Sequence, residues 1–387
     1  MIEPLVITDE QPPTHRPGLW IGGIALYILL IGIGTNLGGE FALFITASFN
    51  VLPFAGLAIL AYFAGTQFNW AWIATGIWAT LLIGTVSVYT FILGVASLLD
   101  IPPGGLNPDQ PPSLSPPAVL PVLLLIIGIV SAIALGLLTL LPSIRHRLAH
   151  FIPINPSSFV HTVALTTIVI ITLMMFVPLL ITGQPPLLAL VNMVGSDAFS
   201  DLNNDEQLRN QIYGLVWTIP ASLLAVGFGV RRNLTETLAR LGFVRPTLRQ
   251  GLLGVGIGLG LAGLITIALP LIETLWQALG WSTTDDEAFG ELMAFAISPI
   301  GAVVIGITAG LGEELGVRGV LQPRLGLWLS NLFFTSLHAF QYHWDALLVV
   351  FVVGIACGFV RKHTNTTTAA IVHGVYNFVM VMMSVIS

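Results

Sequence analysis

The sequence predicts an all-α fold, a polytopic transmembrane helix bundle of about 11 spans. Three observations predict it. Only 8% of the 387 residues are charged, against about 25% in a typical soluble domain. Mean hydropathy is +0.91, and the apolar residues gather in runs of about 18 or more, the length a helix needs to cross the hydrocarbon core. The basic residues cluster between these runs, as in a chain oriented by its cytoplasmic charges.

Taken in order, the runs place spans near Leu19 to Leu37, Val51 to Phe68, Ala71 to Leu99, Leu120 to Leu141, Phe159 to Ile181 and Ile212 to Val230. A second group follows near Leu252 to Ile272, Leu292 to Gln322, Leu325 to Phe340, Ala346 to Val360 and Thr367 to Ile386. Between them, Ile101 to Pro117 reads as a stiff Pro-rich outer loop, and Asp197 to Arg209 as an acidic outer loop beside a short apolar stretch, Leu187 to Val194. Arg145 with Arg147, the run Arg231 to Arg249, and Arg361 with Lys362 fall on one side, Arg209 being the exception. The positive-inside rule makes that side cytoplasmic, with the N-terminus inside and the C-terminus outside. The polar first 18 residues show no cleavable signal peptide, and the plasma membrane of a prokaryote is the expected location.

The Arg-bearing segment Arg231 to Gln250 reads as a surface helix or loop carrying topogenic charge. It divides the chain into an N-terminal accessory six-span membrane region, 1–250, and a C-terminal membrane core, 251–387. Gly258-x-Gly260-x-x-Gly263 matches a dinucleotide fingerprint, but it lies inside an apolar span with no preceding strand, so close helix packing is the expected explanation. The same packing is expected of Gly306, Gly310, Gly312, Gly316 and Gly319. The single cysteine, Cys357, excludes an intramolecular disulfide and Cys-rich zinc patterns, and reads as a small apolar core residue.

Three polar patterns stand out inside the apolar C-terminal third: Glu313-Glu314-x-x-x-Arg318, Phe334-x-x-x-His338 and His373-x-x-x-Asn377. A carboxylate at bilayer depth costs about 2.5 to 3.5 kcal/mol on insertion scales, so each such group needs a partner or a task. On a helix, Glu314 and Arg318 share a face and Glu313 points about 100° away. The expectation is one paired and one free carboxylate. His373 and Asn377 share a face of the last helix, and helix rise lets Glu313, His338, His373 and Asn377 meet at a common depth, open toward the cytoplasm. A base, a group to orient water and donors for an oxyanion are what peptide-bond hydrolysis needs. Glu313 is the expected base, His338 the water-positioning partner, and His373 with Asn377 the oxyanion donors.

At these residues, with Gly319 after Arg318, the chain resembles the CAAX prenyl endopeptidase and bacteriocin-processing (Abi, CPBP) family of intramembrane glutamate proteases. The resemblance covers about Gly251 to Ser387. It implies the same roles for Glu313, His338, His373 and Asn377, with Glu314, Arg318 and Phe334 in support. Val317 stands where the family often has an aromatic residue. The implied activity is hydrolysis of membrane-associated peptide or protein substrates, prenylated CAAX-type tails among them, without a cofactor. The lipid bilayer is the other expected partner, and no nucleic acid is expected.

Two further readings remain open. A Glu and two His could hold zinc in a metalloprotease, though no His-Glu-x-x-His helix is present and Asn377 is a poor zinc ligand. The buried titratable groups could instead serve a transporter's proton relay or a non-catalytic scaffold, but the first six spans hold no matching cluster.

Overall fold

The computed structural model describes residues 17–65, 68–99, 119–194 and 204–386, and every regular element among them is a helix. In chain order these are α1 (Pro17–Leu37), α2 (Gly39–Thr46), α3 (Leu52–Ala64), α4 (Asn69–Ala96), α5 (Val119–Leu137), α6 (Pro142–Leu148), α7 (Phe159–Thr182) and α8 (Pro186–Val194). After these come α9 (Asn204–Ala225), α10 (Leu234–Leu241), α11 (Leu248–Ala278), α12 (Asp286–Leu292), α13 (Pro299–Thr308), α14 (Gln322–Leu337), α15 (Trp344–His363) and α16 (Thr366–Ile386). Two π-helical stretches, Ala309–Glu313 and Leu315–Leu321, join α13 to α14. The expected Pro-rich loop Ile101 to Pro117 and the first part of the expected acidic loop, 197–203, lie outside the described residues.

Among the described residues, seven helical segments are long and apolar enough to cross a membrane, or eight when the bent pair Gly39–Asn50 and Leu52–Ala64 counts as one. The expected count of about 11 is therefore not borne out. α1 offers only Gly22–Gly34 as a shorter apolar helix. α9 opens on the polar stretch Asn204 to Gln211 and is not among these apolar helices. The spans expected at Leu292 to Gln322 and Leu325 to Phe340 fall in the run Pro299–Leu337, which is two helices broken at Gly326.

That run is not straight. Arg318 and Asn331, 13 residues apart, are hydrogen-bonded at 3.2 Å, whereas a straight helix would hold them about 20 Å apart. The chain turns at Gly326, whose φ of 77° and ψ of 172° suit glycine alone. Pro323, directly after the expected span end at Gln322, lies in helical backbone three residues before this turn.

Local sequence sets the other ends. Ser158 caps α7, and Gly183 ends it in the left-handed region at φ 74°. Capping boxes, Asn233 with Glu236 and Thr247 with Gln250, open α10 and α11. The segment expected as a surface element is thus partly internal: Leu241 is buried, and buried Arg240 donates from Nη1 to the Gly319 carbonyl at 3.1 Å. Asp345, in the first turn of α15, is also buried and accepts from the Thr284 N–H at 2.9 Å and its hydroxyl at 2.7 Å.

The core crosses residue 250. Leu165, Ile168, Ile171 and Met175 of α7 pack with Leu325, Phe333 and Phe340, on and beside α14. A second cluster joins Leu261 and Ile265 of α11 to Val349, Val353, Cys357 and Val360 of α15 and Ala369 and Val372 of α16. Small residues permit the closest crossings. A Cβ on Gly310 would lie 2.6 Å from the Gly374 Cα, and one on Gly258 would lie 2.8 Å from the Val372 carbonyl oxygen. Close packing accounts for Gly258, Gly306, Gly310 and Gly319, but not for Gly260, Gly263 or Gly316, which face open space, or for Gly312, whose nearest neighbour is 3.6 Å away.

Candidate active site

Glu313 and Glu314 lie where one π-helical stretch gives way to the next. π-Helical bonds run from i to i+5, and such bulges recur at functional sites. The widened turn changes the angular step assumed for a regular α-helix, and both glutamates reach the same histidine.

Glu314 is fully buried, with Oε2 3.3 Å from Nε of Arg318, which is itself 1% exposed. The expected pair is thus present. Removing either partner of such a pair strands a buried charge at a cost of about 3 to 5 kcal/mol. Arg318 is held on its other sides as well. Its Nη2 donates to Asn331 Oδ1 at 3.2 Å and to the Gly354 carbonyl at 2.6 Å. The guanidinium also lies over the Phe334 ring, 4.7 Å from the centroid. Asn331 in turn donates to the Phe351 carbonyl at 3.0 Å, tying α14 to α15. A side chain at Gly354 would enter this junction, since its Cβ would fall 2.0 Å from Asn331 Oδ1.

His373 connects the two glutamates. Its Nδ1 donates to Glu314 Oε1 at 3.0 Å, and its Nε2 lies 3.8 Å from Glu313 Oε2. Glu313 has no other ion-pair partner among the described residues, and its side chain is 37% exposed. One carboxylate is therefore locked and the other accessible.

Phe334 stands between the two histidines. Its ring meets His338 edge-on at 4.8 Å and His373 edge-on at 5.9 Å. His338 is half-buried at the C-terminal end of α14, and its Nδ1 donates to the Phe334 carbonyl at 3.0 Å. A carbonyl can only accept, so in the neutral ring Nε2 is left as an acceptor. Tyr342 stacks on His338 with centroids 6.0 Å apart, and Phe289 of α12 packs on Tyr342 at 4.9 Å. Asn377, half-buried, sits one turn along α16 from His373.

Glu313, Glu314, Arg318, Phe334 and His373 are thus drawn into direct contact, and His338 joins them through Phe334. Neither His338 nor Asn377 is hydrogen-bonded to Glu313. The link from His373 to both glutamates was not anticipated from spacing. Sequence reasoning also passed over Asn331, Gly354, Tyr342 and Gly374. Asn331 had a usable signal, a lone amide in an apolar run at i, i+3 and i+7 spacing with Phe334 and His338. The expected zinc alternative required a Glu and two His. The group that could hold a metal among the described residues is instead Glu314, Cys357 and His373, with one histidine and the cysteine read as core.

No curated protein and no solved structure matches the chain. Residues 295–379, about a fifth of the chain, match the family model described as Rce1-like, type II CAAX prenyl endopeptidase, and every residue of the three polar patterns falls within that segment. The chain therefore carries an Rce1-like domain, consistent with the CAAX prenyl endopeptidase and CPBP family.

Proposed function

We propose that the chain is an intramembrane endopeptidase that cleaves membrane-associated peptides or proteins, prenylated CAAX-type tails among them, with a water activated by Glu313. Residues 251–387 form its catalytic core and 1–250 its accessory region, with the N-terminus cytoplasmic and the C-terminus outside. The observation that carries this reading is the division of labour between the glutamates. Arg318 and His373 occupy Glu314, and Glu313 keeps an accessible carboxylate beside His373 Nε2.

Glu313 takes a proton from a water that His338 Nε2 orients, and the resulting hydroxide attacks the scissile carbonyl carbon. His373 Nε2 and the Asn377 amide donate to the oxyanion that forms. The proton held by Glu313 then passes to the leaving amine as the C–N bond breaks, which returns the carboxylate to its starting state. Arg318, Phe334 and Asn331 fix the side chains that carry these roles.

Cleavage of a fluorogenic, membrane-tethered peptide library in liposomes tests the reading. Turnover is expected to survive a zinc chelator and to fall about 100- to 10,000-fold in Glu313→Ala. Chelator-sensitive turnover would move the chemistry to a metal.

A further inference from the structure

Cys357 plays no part in the proposed hydrolysis, yet its thiol belongs to the site. It is fully buried on α15, and its Sγ lies with a ligand atom of Glu314 and one of His373 so that all three fall within 4.8 Å of one another. The three residues come from three elements: the π-helical junction, α15 and α16. Thiolate, imidazole and carboxylate together make a donor set that zinc and other thiophilic ions accept, at about 2.0 to 2.3 Å.

The geometry is close to what an ion needs. Nitrogen and oxygen ligands at about 2.1 Å and a tetrahedral angle stand about 3.4 Å apart, and His373 Nδ1 and Glu314 Oε1 are already 3.0 Å apart. The two oxygens of Glu314 are divided, Oε1 toward His373 and Oε2 toward Arg318, so coordination through Oε1 leaves the Arg318 pair intact. A second observation marks the pocket: Glu314 Oε2 has its ion pair with Arg318 Nε but no hydrogen bond, and Arg318 Nη1 is buried with no hydrogen-bond partner.

We propose that Glu314, Cys357 and His373 form a binding site for a thiophilic divalent cation, of the zinc and cadmium class, whose occupancy switches peptide cleavage off. On binding, the thiol proton leaves to solvent and a metal–sulfur bond forms. At His373 the metal replaces the hydrogen on Nδ1 of the doubly protonated ring, and that proton also leaves to solvent. The ring is left neutral with its N–H on Nε2, turned toward Glu313, the usual carboxylate–histidine–metal arrangement. Glu313 and His373 are then engaged with each other instead of with water and substrate. The inhibitory effect rests on the proposed roles of Glu313 and His373; the binding does not.

The full-length protein, titrated with cadmium, tests the binding through the ultraviolet absorption of the cadmium–thiolate bond. Cys357 is the only cysteine, so the band reports on it alone. A saturable band is expected in the wild type. It should vanish in Cys357→Ser and need at least about tenfold more cadmium in His373→Gln, whose thiol is intact. Thermal unfolding of each variant serves as the control for folding. In the liposome assay, zinc should suppress wild-type cleavage and leave Cys357→Ala uninhibited, with its metal-free rate unchanged. No band, a band equally tight in His373→Gln, or equal inhibition of Cys357→Ala would overturn the proposal. If the wild type cleaves no peptide, the hydrolytic reading fails while the absorption titration still decides the metal site.

Discussion

At the scale of single residues, the site works by giving similar groups different surroundings. Glu313 and Glu314 are neighbours in sequence, yet one is 37% exposed and the other fully buried against Arg318. That contrast was legible in part, because the four-residue spacing of Glu314 and Arg318 predicts their pairing on any helix. The contact of His373 with both glutamates was not legible, since it depends on how α16 crosses the π-helical junction. Asn377 gives a prediction at this scale. If its amide donates to the oxyanion, Asn377→Ala lowers kcat about 100- to 1000-fold with KM little changed, read from steady-state kinetics in liposomes. A rise in KM alone would instead make Asn377 a substrate-binding residue.

At the scale of elements, composition revealed which stretches are apolar but not where the chain turns. Gly326 turns the chain between two helices, four residues after the span end expected at Gln322. The π-helical geometry of Ala309–Glu313 and Leu315–Leu321 is likewise set by packing that no local pattern encodes. The glycines of this region offered the nearest hint. Gly374 sits between His373 and Asn377, where a Cβ would lie 2.6 Å from the Gly306 carbonyl oxygen. Gly374→Ala is therefore expected to push α16 off α13, destabilising the fold by about 1 to 3 kcal/mol and lowering kcat. Thermal unfolding alongside the cleavage assay checks both, and an unchanged melting temperature would contradict the crossing described.

At the scale of the whole molecule, the family match spans residues 295–379, and the hydrophobic core packed on α14 is completed from outside them. α7 lays Leu165, Ile168, Ile171 and Met175 against Leu325, Phe333 and Phe340. Charge and span grouping draw a boundary near residue 250, and sequence order alone does not report that helices on its two sides share this core. A fragment of residues 251–387 would expose those apolar side chains to detergent or lipid in place of α7. It is expected to lose the sharp unfolding transition of the full chain and to elute as aggregate in size-exclusion chromatography. A monodisperse, cooperatively folded fragment would show that the first 250 residues are dispensable for the fold.

The central claim is that Glu313 acts as the base and Glu314 as its support. Glu313→Gln keeps the side chain's shape and removes its basicity, so its kinetics in liposomes, measured beside its thermal unfolding, test the claim most directly. The account predicts a kcat lower by about 100- to 10,000-fold with wild-type stability and near-normal KM. Wild-type turnover in Glu313→Gln would contradict it.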